Sequence, residues 1–382
     1  MYCDKEQDMI IQEAEAFVND EVRPYVNEFE ARGGVPKELI KKMVAKGYLA
    51  APFPKQYGGL GLDPTYYGLF TEVFGKACTA TRSLLTVHTS LVGETLIRLG
   101  TEEQKNKWLP RLAQGEIIGA FGLSEPDIGS DAKNIKTTWH EEDDCYVING
   151  TKKWITFGHL ADFFIIIASN NGKSTAFLVE RSFPGLDTKQ IEGIMAARAT
   201  YLGEIHLNNV KVPKENVLGK MNFGFEYVVS TALDFGRYSI AWAGVAIAQE
   251  ALEAMVSYSR TREQFGEKLR SFQLIRGMIG DAVTKVHAAR ALVLKASELR
   301  KEKNPDAVIE TTMAKYFASK VAVDVTNDAL QVHGGNGFSN EYPVERLYRE
   351  AKVLEIIEGS SQIQQEMVSS FGLQRYFKRR KK

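Results

Sequence analysis

The chain has little of what a metal centre, a disulfide scaffold or a membrane anchor needs. Cys3, Cys78 and Cys145 are its only cysteines, scattered and without a CxxC pair, which excludes a disulfide framework. His88, His140, His159, His206, His287 and His333 form no HExxH pattern, so no metal is expected and each histidine reads as structural. No run approaches the roughly 18 apolar residues of a membrane-spanning helix. The N-terminal stretch MYCDKEQDMIIQEAEAF is acidic and periodic, lacking the basic start and apolar core of a signal peptide. A cytoplasmic protein that does not enter a membrane is the expectation. Net charge is also missing: 48 basic and 48 acidic residues cancel, leaving no overall field to draw the protein to nucleic acid. Any anionic ligand must therefore be held locally.

What is present is enough apolar material, 44% of 382 residues, for two or three packed domains. Residues 1–118 repeat apolar side chains at helical spacing, interrupted by a Pro/Gly-rich stretch at Pro52, Pro54, Gly58, Gly59 and Gly61. Over residues 119–222 the period changes. Tyr146-Val147-Ile148 leads into Asn149-Gly150, a strong hairpin signal, and FFIIIA (163–168), TAFLVE (175–180) and EIHLNNVKV (204–212) read as strands. Helical spacing returns over residues 223–382, with Ala282, Val286, Ala289, Val293 and Ala296 on one stripe. The expected fold is mainly α with a β middle domain. The end, Lys378 to Lys382, is a basic tail that reads as solvated or as a dock for acidic partners.

Five stretches carry residue types suited to chemistry. Phe121-Gly122-Leu123-Ser124-Glu125-Pro126-Asp127-Ile128-Gly129-Ser130-Asp131 combines hydroxyls, turn formers and accessible backbone N–H groups; it could bind a planar heterocycle and a phosphate, or be a surface turn. Lys153-Trp154-Ile155-Thr156 offers an indole wall and a hydroxyl, or a plain core tryptophan. Arg262-Glu263-Gln264-Phe265-Gly266, followed by Phe272-Gln273, presents a guanidinium fork that suits a pyrophosphate or a surface ion pair. Gln331-Val332-His333-Gly334-Gly335-Asn336-Gly337 allows close backbone approach or simply caps a helix. No strand precedes it, so it is not a Rossmann fingerprint. In Ile356-Ile357-Glu358-Gly359-Ser360-Ser361-Gln362, Glu358 could project into an apolar pocket, where desolvation would raise its pKa as a carbon base requires, or could be an exposed helix-end residue.

Together and in this order, these stretches resemble the acyl-CoA dehydrogenase family over essentially the whole chain. Gly58-Gly59-Leu60-Gly61 and Leu99-Gly100-Thr101-Glu102-Glu103-Gln104-Lys105 stand where that family has similar phrases. The resemblance implies a helical N-terminal domain, a β-barrel-like middle domain and a C-terminal four-helix bundle, with FAD between the last two. It implies that Phe121, Leu123, Ser124, Gly129 and Ser130 line the flavin and the start of the thioester chain, and that Trp154, Ile155 and Thr156 pack on the isoalloxazine. Arg262, Phe265, Gln273, Gln331, Gly334 and Gly335 would serve the pyrophosphate and adenosine, partly across a subunit interface of a tetramer or dimer. Ser360 and Gln362 would complete the cofactor site. Asp234, Arg237, Ser130 and Gly359 would meet the acyl thioester. Some relatives place their base immediately before the arginine of this helix; Gly236 stands there, which leaves Glu358.

By the same resemblance Glu358 removes the α-proton while the flavin takes the β-hydride, giving a trans-2-enoyl thioester. The thioester oxygen would be held by the backbone N–H of Glu358 and a ribityl hydroxyl. An electron-transfer flavoprotein would then accept the electrons. Ile357 stands where many fatty-acid members carry an aromatic, and 196–202 (AARATYL) departs from their phrasing. These departures resemble a branch that acts on acyl groups tethered to an acyl carrier protein in polyketide or peptide antibiotic biosynthesis. The other classes considered are oxidation of a tethered hydroxyacyl group, a flavin oxidase, and a relative that keeps the fold as a binding module.

Overall fold

A computed structural model describes residues 4–377; Cys3 and the basic tail lie outside the described residues. The chain divides into two compact units, one comprising the residues up to Val18, Pro64–Thr79 and those from Arg237 onward, the other Asn19–Asp63 and Ala80–Gly236.

The first unit is helical. Its long elements are Gln273–Lys301, Ala307–His333 and the greater part of Ser230–Thr261, followed by Val344–Leu354 and Ser361–Arg375. The stripe read from the sequence is its core: Ala282, Val286, Ala289, Val293 and Ala296 are all buried, together with Trp242, Val325 and Leu347. Small residues on this stripe let helices approach closely. Pro64–Ala77 packs on the same body through Gly68, where an added Cβ would come within 2.2 Å of the Trp242 indole. Arg290 fixes that helix further with a forked pair of hydrogen bonds to Glu72, at 2.8 and 2.5 Å.

The second unit holds the β domain and the helical segments between Val26 and Tyr57 and between Ala80 and Ala113. Its strands lie in the order Leu186–Gln190, Gly203–Pro213, Cys145–Ile155, Thr138–Glu142, Phe163–Asn170, Lys173–Glu180 and Val217–Leu218, and Gly119–Gly122 pairs in parallel with Phe163–Asn170. The run FFIIIA is buried on both faces, which is why it shows no alternation. Helix Glu102–Ala113 starts with a capping box: Thr101 Oγ1 accepts from Gln104 N, and Gln104 Oε1 accepts from Thr101 N. The Gln104 side-chain amide also donates to the carbonyls of Glu215 and Val217, both at 2.8 Å.

One local expectation is corrected. Asn149-Gly150 is not a hairpin turn but lies inside the strand Cys145–Ile155, where the pairing with Gly203–Pro213 shifts register between Ile148 and Gly150. The turn falls earlier, at Asp143-Asp144 between the paired residues Glu142 and Cys145. Gly150 suits the bulge because φ is 150° and a Cβ would meet Thr137 at 2.5 Å. Asn149 Oδ1 accepts from the backbone N–H of Asn209 at 2.8 Å, tying the irregular point to the neighbouring strand.

Candidate active site

The loop carrying Glu358 begins where helix Val344–Leu354 ends and closes where Ser360 caps helix Ser361–Arg375, its Oγ accepting from Ile363 N at 3.4 Å. Glu358 and Gly359 have φ of 54° and 89°, two consecutive left-handed residues. Glycine adopts this readily, but for a glutamate it costs about 1–2 kcal/mol. A side chain at Gly359 would also come within 2.7 Å of the Gln364 amide nitrogen. Donors from three helices hold the turn in place. Arg237 Nε, on Ser230–Thr261, donates to the Glu358 carbonyl at 3.1 Å. Lys315 Nζ, on Ala307–His333, donates to the Gly359 carbonyl at 2.7 Å. Gln364 Nε2, on Ser361–Arg375, donates to both carbonyls at 3.1 Å.

The expected apolar wall beside Glu358 does not come from its own loop. The helix ends at Leu354, so Ile356 and Ile357 project outward, 60% and 36% exposed. Polar side chains hold the carbonyls of the turn, and Glu358 Oε2 is buried. Lys315 is completely buried, and burial pushes its ammonium down to about 8; Glu358 and Glu355 pull it back up, while Arg237 pushes it down.

In the β unit the structure brings together two of the stretches singled out from the sequence. Lys153 N donates to Ser124 O at 2.9 Å, setting the strand end that carries Trp154 beside the Phe121–Asp131 segment. Lys152 Nζ, buried, donates to Leu123 O at 3.0 Å and to Glu125 Oε1 at 2.7 Å. Glu125 in turn accepts from the backbone N–H groups of Lys136 at 2.6 Å and Thr137 at 2.9 Å. On this frame Trp154 is 51% exposed with φ of 63°, a strained backbone holding a large aromatic at the surface. Thr156 and Ser124 are half-buried, Phe121 and Leu123 buried, Gly129 and Ser130 exposed. Ile155 is buried in the core, leaving only its backbone to serve a ligand. A Cβ at Gly129 would meet no atom within 4 Å, so the backbone there is approachable.

In the helical unit, Phe265 sits at the tip of a small hairpin, 95% exposed with φ of 55°. Arg262, at its base, and Gln273, the first residue of the next helix, are exposed. Gln331 is exposed in the last turn of Ala307–His333, and Gly334 and Gly335 just beyond it have no atom within 4 Å of a Cβ position. Gln362 is exposed and Asp234 half-buried. Among the described residues no group of three or more histidine, cysteine or acidic side chains could hold a metal ion, and no helix is long and apolar enough to cross a membrane.

Models of the N-terminal, middle and C-terminal domains of acyl-CoA dehydrogenase match residues 4–116, 120–210 and 222–373. The chain belongs to the acyl-CoA dehydrogenase family. Within that family it is 40% identical, over 96% of its length and 97% of the relative's, to the short-chain specific acyl-CoA dehydrogenase of Clostridium acetobutylicum. It is 37% identical to the caffeyl-CoA reductase-Etf complex subunit CarC of Acetobacterium woodii, covering 98% of this chain and all of the relative. The structure of butyryl-CoA dehydrogenase from Megasphaera elsdenii superposes with a TM-score of 0.94 at 36% identity, covering 98% and 99% of the two chains. FkbI, for biosynthesis of a methoxymalonyl extender unit, shares the acyl-CoA dehydrogenase fold with a TM-score of 0.87 at 31% identity, covering 97% and 99%.

Four side chains that no motif singles out build the loops of this acyl-CoA dehydrogenase. Lys315 and Gln364 hold the Glu358 turn, while Lys152 and Glu125 hold the Phe121–Asp131 segment. Lys315 lies among Ala314, Ala318 and Ser319, all buried, a position where an unpaired lysine is not tolerated, and only the fold shows that burial.

Proposed function

We propose that Glu358 is the base of an FAD-dependent acyl-CoA dehydrogenase, removing the α-proton of the bound thioester. The observation that carries this is the left-handed Glu358-Gly359 turn, clamped by Arg237, Lys315 and Gln364 against the backbone cost of a left-handed glutamate. A carboxylate held in one position can take a proton from a weak carbon acid at high effective concentration. The Glu358 backbone N–H is the donor we assign to the thioester oxygen, where negative charge develops as the proton leaves. Asp234 and Ser130 are assigned to the thioester arm. Arg237 reaches the substrate site through the Glu358 carbonyl that it holds.

FAD, when bound, supplies the acceptor for the β-hydride, so that the product is a trans-2-enoyl thioester. Residues of the β unit suit its ring: an exposed Trp154, Thr156 and the backbone of Ile155, with Phe121, Leu123, Ser124, Gly129 and Ser130. Arg262, Phe265, Gln273, Gln331, Gly334 and Gly335 suit the pyrophosphate and adenosine, and Ser360 and Gln362 complete the set. The exposed Phe265, Leu274 and Phe338 support a homo-oligomer, a tetramer or dimer, in which such side chains are covered.

The substrate we assign is a short acyl group on coenzyme A, and the electron acceptor an electron-transferring flavoprotein. Higher identity to the Clostridium acetobutylicum enzyme than to FkbI supports coenzyme A over a carrier protein. The test presents matched acyl groups anaerobically on coenzyme A and on a phosphopantetheinylated carrier protein. Bleaching of the flavin by the coenzyme A esters is expected. Bleaching by carrier-bound esters alone would overturn the substrate assignment, and fast aerobic reoxidation with peroxide release would make the protein an oxidase.

A further inference from the structure

We propose that Lys315 is a positioning residue for proton abstraction, holding the Glu358-Gly359 turn in its left-handed form through the Gly359 carbonyl. The inference rests on the assignment of Glu358 as the base and adds a residue to that site.

Lys315 occurs in Ala314-Lys315-Tyr316-Phe317-Ala318, inside the long helix Ala307–His333. Its neighbours Ala314, Ala318 and Ser319 are buried, the last two on its own face of the helix, and Lys315 itself has no exposed surface. A buried ammonium is expensive unless it finds strong acceptors, and an apolar residue of similar length would pack there at less cost. The described contact is a 2.7 Å hydrogen bond to Gly359 O, across 44 residues of sequence. A charge-assisted bond to the Gly359 carbonyl fixes the plane of the Gly359–Ser360 peptide, one residue beyond the carboxylate-bearing residue. That residue has φ of 54°, a conformation its own side chain disfavours and which must be imposed from outside.

Two other donors act on the same turn without duplicating the lysine. Arg237 Nε donates to the Glu358 carbonyl, and Gln364 Nε2 divides itself between the two carbonyls at 3.1 Å. Lys315 contributes the shortest of these bonds and comes from a different helix, so it adds the third direction that defines the position of the turn. The charged groups acting on it are Glu358 and Glu355, which favour its charge, and Arg237, which opposes it. Loss of one anchor lets the turn relax toward ordinary φ, and a displacement of about 1 Å can cost on the order of 100-fold in rate.

The test uses FAD-loaded protein and a 3-thia-acyl-CoA, which can lose its α-proton but has no β-hydride to give. Its enolate beside oxidised flavin absorbs at long wavelength, so the absorbance against pH reports proton abstraction alone. Lys315→Met removes the donor at nearly constant length; Lys315→Gln keeps a neutral donor. Lys315→Met is expected to need a pH at least one unit higher for half-maximal absorbance, with ligand affinity within threefold and kcat lowered about 10- to 100-fold. Lys315→Gln should fall between it and the native protein. A loaded Lys315→Met protein with the native pH profile and kcat would overturn the proposal; if it loads no FAD, Lys315→Gln is read by the same criterion. Glu358→Gln should abolish the absorbance, and its persistence there would remove the base assignment itself.

Discussion

Lys152 and Glu125 form an ion pair at 2.7 Å with side chains only 0% and 4% exposed. Burial pushes the lysine down to about 8, with Glu125 pulling it back. For Glu125 burial acts upward, but Lys152 and the donors from Thr137 and Lys136 outweigh it and hold the carboxyl below its usual value. Both groups are charged at neutral pH. Lys152→Met would strand the carboxylate and is expected to cost about 3–5 kcal/mol in urea unfolding. Pairing it with Glu125→Gln should recover part of that loss. FAD affinity should fall in the single variant, because Lys152 also holds Leu123 O.

His88 makes acid stability depend on one buried ring. Its Nδ1 accepts from Gly119 N at 3.1 Å, which makes the neutral form, protonated on Nε2, the one that fits. Burial lowers its pKa from 6.5 to about 4, with the Leu112 carbonyl pulling partway back. Between those values the unfolded chain takes up a proton that the folded chain does not. The stability contributed by neutral His88 is therefore complete above pH 6.5 and is lost as pH falls toward 4. Unfolding free energy should drop by about 2 kcal/mol from this group between pH 6.5 and 5, and His88→Gln should lack that component.

Two glycines separate folding from cofactor binding. At Gly59 a Cβ would lie 2.0 Å from the Phe53 carbonyl oxygen, a backbone atom that cannot move aside. Gly59→Ala should lower stability by about 3 kcal/mol or more. At Gly129 a Cβ would meet nothing within 4 Å. Gly129→Ala should leave apoprotein stability within about 0.5 kcal/mol of native and weaken FAD binding in a fluorescence titration. Equal loss of stability in both variants would contradict the placement of Gly129 at the cofactor.

The α, β, α texture was legible because burial imposes a period on each element, and the stripe from Ala282 to Ala296 and the run FFIIIA show it directly. Asn149-Gly150 misled because the same pair that favours a tight turn also suits a bulge, and only the partner strand decides between them. At the site, Glu358 and its glycine could be picked out as a motif. Lys315, Arg237 and Gln364 meet it from other helices, and separations of 44 and 121 residues leave no local pattern to read. Gln364 is only 6 residues away, but its reach back to the Glu358 carbonyl depends on the turn between them. Ile356 and Ile357 do not wall the carboxylate for a related reason: neighbours in sequence point outward once the helix has ended.

The measurement closest to the central claim is a single anaerobic turnover of the FAD-loaded protein with butyryl-CoA, comparing native protein with Glu358→Gln. The native flavin should bleach and a trans-2-enoyl thioester should be recovered, while Glu358→Gln keeps its FAD and bleaches slower by about 10³-fold or more. A Glu358→Gln protein that bleaches at near-native rate would show that another group takes the α-proton.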